Sequence, residues 1–163
     1  MDRLLLTLLV AAFFALCVYG MWRGWRRQAR AQSVRYPPFP DVPAEPGEPL
    51  LEASGVYVAT TSAGHWQERV VTRGAGLRAR ATLRRHAGGI AVERAGAPAF
   101  WIPGESMVDV KTARGMAGKV MGTDSLLVFT WRLGDNELDT GFRGDDLDVY
   151  PEWIKQVKGG AQV

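Results

Sequence analysis

Apolar residues along this chain fall into three textures: one continuous, one alternating and one helical. The continuous run comes first. From Leu4 to Trp22, LLLTLLVAAFFALCVYGMW carries no charge and one ordinary polar residue, Thr7. As a helix rising about 1.5 Å per residue it would reach roughly 28 Å, close to the hydrocarbon thickness of a bilayer. From Gly55 onward the texture changes to short β-type runs broken by glycine, proline and charged turns. Gly55–Thr60, Leu77–Leu83, Ile90–Arg94, Ala99–Ile102, Ser106–Lys111, Leu126–Trp131 and Glu137–Phe142 each read as a strand, and their spacing predicts about seven antiparallel strands. At the end, Leu147, Tyr150, Trp153, Ile154 and Val157 recur at helical spacing and predict one amphipathic helix. Asp145 or Asp146 is its expected cap, Pro151 is tolerated in the first turn, and Gly159-Gly160 is the expected stop. The predicted fold is mainly β with helices. A transmembrane helix leads into a partly open barrel of about seven antiparallel strands, one end of which is plugged by a C-terminal helix.

Between the apolar run and the first strand, YPPFPDVPAEPGEP (36–49) holds six prolines in fourteen residues. Such a stretch excludes helix and central strand and favours an extended polyproline II path. It reads as a spacer rather than as a ligand for a proline-binding groove. The expected division is residues 1–35 as anchor with a basic flank, 36–52 as proline-rich linker, 53–158 as the domain and 159–163 as a tail.

Charge gives the apolar run a direction. Leu4, Leu8, Phe13, Leu16 and Trp22 mark the anchor, and Arg23, Arg26, Arg27 and Arg30 follow it, with Arg35 beyond and no acid until Asp41. The positive-inside rule places the short N-terminus outside and the following domain in the cytoplasm, as a single-pass protein of the cell membrane. A cleaved secretory signal carries its positive charge before the apolar core, not after it. Ala29-Arg30-Ala31 imitates a cleavage site but stands behind three arginines, and Leu16 occupies the place where a lipoprotein signal ahead of Cys17 needs a small residue. Tyr19, Trp22 and Trp25 suit the headgroup level.

The formal net charge of +3 is unevenly spread. Twelve arginines face six acids up to Arg85, whereas eight basic residues face eleven acids from His86 onward. The basic balance thus reflects topology and one part of the domain. No recognition motif accompanies it, so nucleic acid is not an expected partner. Cys17, the single cysteine, lies in the apolar run, which excludes an intrachain disulfide, a thiolate nucleophile and a cysteine metal cluster in the domain.

Chemistry is sparse in what remains. His65 and His86 are the only histidines, and no nucleophile-elbow pattern is present. Neither catalytic residues, metal ligands nor a cofactor site are expected, and the chain does not read as an enzyme. Asp135-Asn136-Glu137-Leu138-Asp139 is acidic but reads as a hairpin turn and strand edge. Arg114-Gly115-Met116-Ala117-Gly118-Lys119 imitates a phosphate loop yet has two residues between its glycines where four are needed, and Val120 replaces the magnesium-binding hydroxyl. Arg143-Gly144-Asp145 reads as a turn, its likeness to an adhesion tripeptide a coincidence. Five cations are candidates for anion binding: Arg78 and Arg80, alternating on one strand face, and Lys111, Arg114 and Lys119 around the glycine-rich loop.

The order of elements resembles the pleckstrin-homology-like superfold. Gly55–Thr61, Gly64-His65-Trp66, Arg69-Val70, Phe100–Pro103, Ala117–Val120 and Asp139–Arg143 resemble a family of small actinobacterial membrane proteins with one N-terminal span and a PH-like domain. That resemblance covers Gly55 to Val157 together with the anchor. It implies the fold, the topology and a setting often beside pyrimidine-biosynthesis genes under export or transporter labels, but no catalytic or binding residues. The expected function is an adaptor: a membrane-anchored PH-like module that recruits a protein or peptide, with lipids contacted through the anchor. A sensor of anionic lipid headgroups and an accessory subunit of a membrane transport system are the alternatives. The sequence assigns no small-molecule ligand.

Overall fold

The apolar run forms one helix, α1 (Asp2–Arg35), which continues well past Trp22. Arginine, alanine and glutamine are good helix formers, so the basic flank extends the helix until the Pro37-Pro38 pair excludes it. The segment Asp2–Arg27 is long and apolar enough to cross a membrane, with a mean hydropathy of 2.5 in its most apolar window and none of that window buried. Leu4, Leu8, Phe13, Leu16 and Trp22 are all exposed. A helix whose apolar window is exposed on every side is suited to lipid. The computed structural model describes residues 1–70, 75–116, 119–120 and 125–160, without the side chains of 28, 29, 31–35, 66, 116, 119 and 120.

The rest of the chain, Tyr36–Val163, is a second compact unit. Its strands are β1 (Leu51–Ser62), β2 (His65–Arg69), β3 (Ala79–His86), β4 (Gly89–Arg94), β5 (Ala97–Pro103), β6 (Met107–Ala113), β7 (Gly115–Met116), β8 (Lys119–Val120), β9 (Leu126–Leu133) and β10 (Asn136–Gly144), followed by α2 (Tyr150–Gly160). The large sheet is antiparallel and open, in the order β5-β4-β3-β1-β10-β9-β6, with β2 added to β1. The seven expected strands are β1, β3, β4, β5, β6, β9 and β10. Strand β2, which opens at His65, and the small β7–β8 hairpin are additional to them. Leu77, expected to open a strand, is exposed ahead of β3.

Alternation decides what the sheet encloses. Ala81 and Leu83 of β3, Ile90 and Val92 of β4, Phe100 and Ile102 of β5, and Phe129 and Trp131 of β9 enter one core. Helix α2 closes it with Tyr150, Trp153 and Val157, Trp153 lying edge-on to Phe129 at 6.1 Å between ring centroids. The helix starts later than its acidic cap candidates suggest. Asp145 is held by Arg80, and Asp146 Oδ1 accepts the Asp148 N–H at 2.9 Å, so the acids build the turn before the helix. Leu147 stays exposed outside it. Tyr150 fixes the start instead, its hydroxyl accepting from the Gly144 N–H at 2.8 Å and donating to the Ser125 carbonyl at 2.9 Å.

The proline-rich segment departs from its expected role. Tyr36 and Phe39 are buried in the core, and the Phe39 ring lies 4.9 Å from Phe100 and 5.5 Å from Trp131. The Trp101 N–H donates to the Pro40 carbonyl at 2.8 Å, and His86 Nδ1 lies 2.9 Å from the Gly47 carbonyl oxygen. A preformed extended path loses little entropy on docking, and its two aromatics gain burial. These residues form a strap on the barrel, not a free spacer.

A one-way hydrogen-bond chain crosses the interior. Trp131 Nε1 can only donate, to Thr140 Oγ1 at 2.9 Å; the Tyr57 hydroxyl donates to the Ala75 carbonyl at 2.6 Å. Thr140 therefore donates to Thr60 at 2.9 Å, and Thr60 to Tyr57 at 2.7 Å. Burial pushes the Tyr57 phenol up to about 12, against the smaller pull of Thr60 and Arg94. Because the folded state holds this proton more tightly than the unfolded state, stability is fully present below about pH 10 and falls as pH rises toward 12. The shift corresponds to roughly 2–3 kcal/mol. Phenolate absorbance followed against pH should show one tyrosine ionising only as the fold melts. A Tyr57 that ionises near pH 10 with the fold intact would contradict this burial.

A candidate partner-binding edge

The open sheet has two outer strands, and the chain treats them differently. Strand β5 carries Pro98 and Pro103, and the strap caps its outer side through the Pro40 carbonyl on the Trp101 N–H. Prolines and a covering segment are the usual means of blocking an exposed edge. Among the described residues, strand β6 has neither. It pairs with β9 on one side, and no described strand or loop hydrogen-bonds along its other side. A bulge sets Val108 apart, leaving Asp109–Ala113 in regular register opposite Thr130–Leu126. Val110 is fully buried, whereas Val108, Lys111 and Thr112 are exposed. Helix α2 packs beside this strand, with Lys158 Nζ 3.3 Å from Asp109 Oδ1. The arrangement is a bare strand edge flanked by a helix, which can take an extended segment as one more strand.

Two of the five candidate anion-binding residues lie on separate strands of the large sheet. Arg80 lies on β3 and Lys111 on β6, with β1, β10 and β9 between them in the sheet. Arg80 is held by both Asp145 oxygens, at 2.9 and 2.8 Å, and this pair raises the arginine's pKa and lowers the carboxylate's. Its neighbour Arg84 bonds Glu52 at 2.7 Å and also Glu93. The arginine-bearing face of β3 is thus matched by acids from β1, β4 and the turn before α2. Arg78 is exposed just ahead of β3, and Arg114 is exposed just past β6. The Lys119 side chain lies outside the described residues. Arg23, Arg26, Arg27 and Arg30 are exposed on α1, the Arg26 guanidinium sitting 4.1 Å from the Trp22 ring centre.

Two buried arginines escaped the sequence reading. Arg94 lies over the rings of Tyr57 and Phe100, 5.0 and 5.1 Å from their centroids, and donates to the Pro98 carbonyl at 2.9 Å. Arg85 points to the same side of β3 as Ala81 and Leu83. That parity was legible: counting by twos from Leu83 turns the second arginine of Arg84-Arg85 inward. Among the described residues, no three His, Cys, Asp or Glu side chains converge as metal ligands. His65 is exposed, and His86 is buried against Trp101.

A family model described as bacterial PH domain-like matches residues 36–158. The match starts at Tyr36, where the strap begins, and ends in the last turns of α2. No curated protein matches the chain significantly.

Proposed function

Starting from a chain that belongs to the bacterial PH domain-like family, we propose a membrane-anchored binding module that holds an extended protein segment along the outer edge of β6. The single observation behind this reading is the asymmetry of the two edges. The same sheet blocks β5 with prolines and the strap and leaves Asp109–Ala113 bare beside α2. An unblocked edge is an aggregation hazard unless something uses it. In this reading the segment Asp2–Arg27 is the anchor, and the arginines behind it favour the cytoplasmic side for the domain. The module concentrates a partner at the membrane.

Photocrosslinking in cells tests it. A photoreactive residue at Thr112, on the bare edge, is expected to give a discrete protein adduct. The same residue at Arg132, exposed on β9, is expected to give none. No adduct from Thr112, or equal adducts from both positions, counts against the edge as the docking place.

A further inference from the structure

Arg85 is a charge without an answer. It is 9 % exposed, and its one hydrogen bond among the described residues runs from Nη1 to the neighbouring His86 carbonyl. Its Nε is buried with no acceptor, and no described carboxylate pairs with it. Buried guanidinium groups are ordinarily paired, because leaving one unpaired forfeits its hydration for nothing. The side chain lines a cavity of about 30 Å³ between β4, the 3-10 turn Gly104–Ser106 that leads into β6, and the C-terminal half of α2. Ala87, Gly89, Ile90, Gly104, Met107 and Val157 line the rest, and none of their side chains carries an oxygen or a charge. Gly160 sits so close that a Cβ there would lie 2.6 Å from Arg85 Nη2. The helix end thus makes room for the guanidinium and gives it no acidic side chain.

We propose that this cavity is a carboxylate-binding site with Arg85 as its anchor. Nη1 is engaged by His86 and Nε has no acceptor, so a carboxylate entering the cavity meets a guanidinium with hydrogen bonds left to give. Charge separates this from other anions. Arg85 is the one charged residue of the lining, so it matches a singly charged carboxylate and leaves the second charge of a phosphate uncompensated. The carboxylate can be a free small acid or an Asp or Glu side chain of a partner. The site stands whether or not the β6 edge takes a segment.

The experiment uses the full chain in neutral detergent, with sodium acetate as probe against sodium chloride and sodium phosphate at matched ionic strength. Acetate is expected to raise the melting temperature saturably, and the other two salts to do less. Arg85→Met is expected to abolish the acetate response while keeping a cooperative melt. If that variant does not fold, the Arg85 Nε–H resonance of the unaltered protein supplies the reading, shifting on acetate addition and not on chloride. A peptide bearing one glutamate, compared with its glutamine counterpart, separates the sources: a shift with the glutamate peptide assigns the site to a partner, and a shift with acetate alone assigns it to a small acid. An acetate response unchanged in Arg85→Met, an equal response to chloride or phosphate, or a motionless Nε–H resonance overturns the proposal.

Discussion

Replacing Phe39 by alanine is expected to destabilise the domain by about 3–5 kcal/mol, the usual cost of deleting a buried aromatic ring. Its side chain is 7 % exposed and meets two rings of the core, Phe100 and Trp131, which belong to opposite halves of the sheet. Removing it opens a ring-sized cavity and also unfastens the strap that covers the β5 edge through Pro40. Glu45→Ala, at an exposed position of the same segment, is expected to stay within about 0.5 kcal/mol of the starting protein. Denaturant unfolding of the full chain followed by tryptophan fluorescence measures both. A Phe39→Ala loss below about 1 kcal/mol would return the segment to the spacer that its prolines suggest.

That contrast shows why part of this molecule was legible and part was not. The barrel strands could be read because each has one face in the core, so polarity alternates with period two. The first helix could be read because nineteen residues in a row carry no charge. The strap was misread because proline content excludes helix and central strand but does not say whether an extended path docks. The usable signal was Tyr36 and Phe39, two large aromatics in a stretch otherwise fit for solvent. The beginning of α2 was misplaced for a related reason. Asp145 fits a cap locally, yet it is claimed by Arg80, 65 positions earlier, through a register no local pattern encodes.

The candidate site follows the same division. The Arg78 and Arg80 face was recognisable as exposed, but the acids that meet this face come from three other segments. Lys111 was picked for its charge, whereas its position on an unpaired edge strand is what distinguishes it. Edge status is a property of sheet order, and sheet order depends on which strands fail to meet. The Arg85 cavity needs the contact of β3 with the far end of α2, which is likewise tertiary.

Gly55→Ala is expected to cost on the order of 3 kcal/mol or more, through overpacking that the backbone cannot relieve. A Cβ at this position would run into the Arg143 carbonyl oxygen and lie 2.8 Å from both Gly144 Cα and Phe142 Cζ. Two of those three obstacles are main chain, which has no rotamer to change. Gly55 pairs with Gly144 on one side and with Ala81 on the other, so three small residues lie abreast where β1 joins both neighbours. In the sheet order, the β1–β10 ladder is the hydrogen-bonded seam between β5-β4-β3-β1 and β10-β9-β6. Strain at Gly55 therefore acts on the joint between the half that carries Arg85 and the half that carries the bare β6 edge. Amide exchange should accelerate first along Gly55–Ser62 and Leu138–Gly144, while the β3–β4 amides stay protected longer. Ser54→Ala, an exposed neighbour whose main-chain carbonyl already serves Asp145, should leave the seam unchanged. If Gly55→Ala melts like the starting protein, β1 and β10 do not approach this closely and the two halves are joined elsewhere. If it loosens the seam as expected, crosslinking from Thr112 should weaken with it, because a partner strand on β6 draws its order from β9 and β10 behind it.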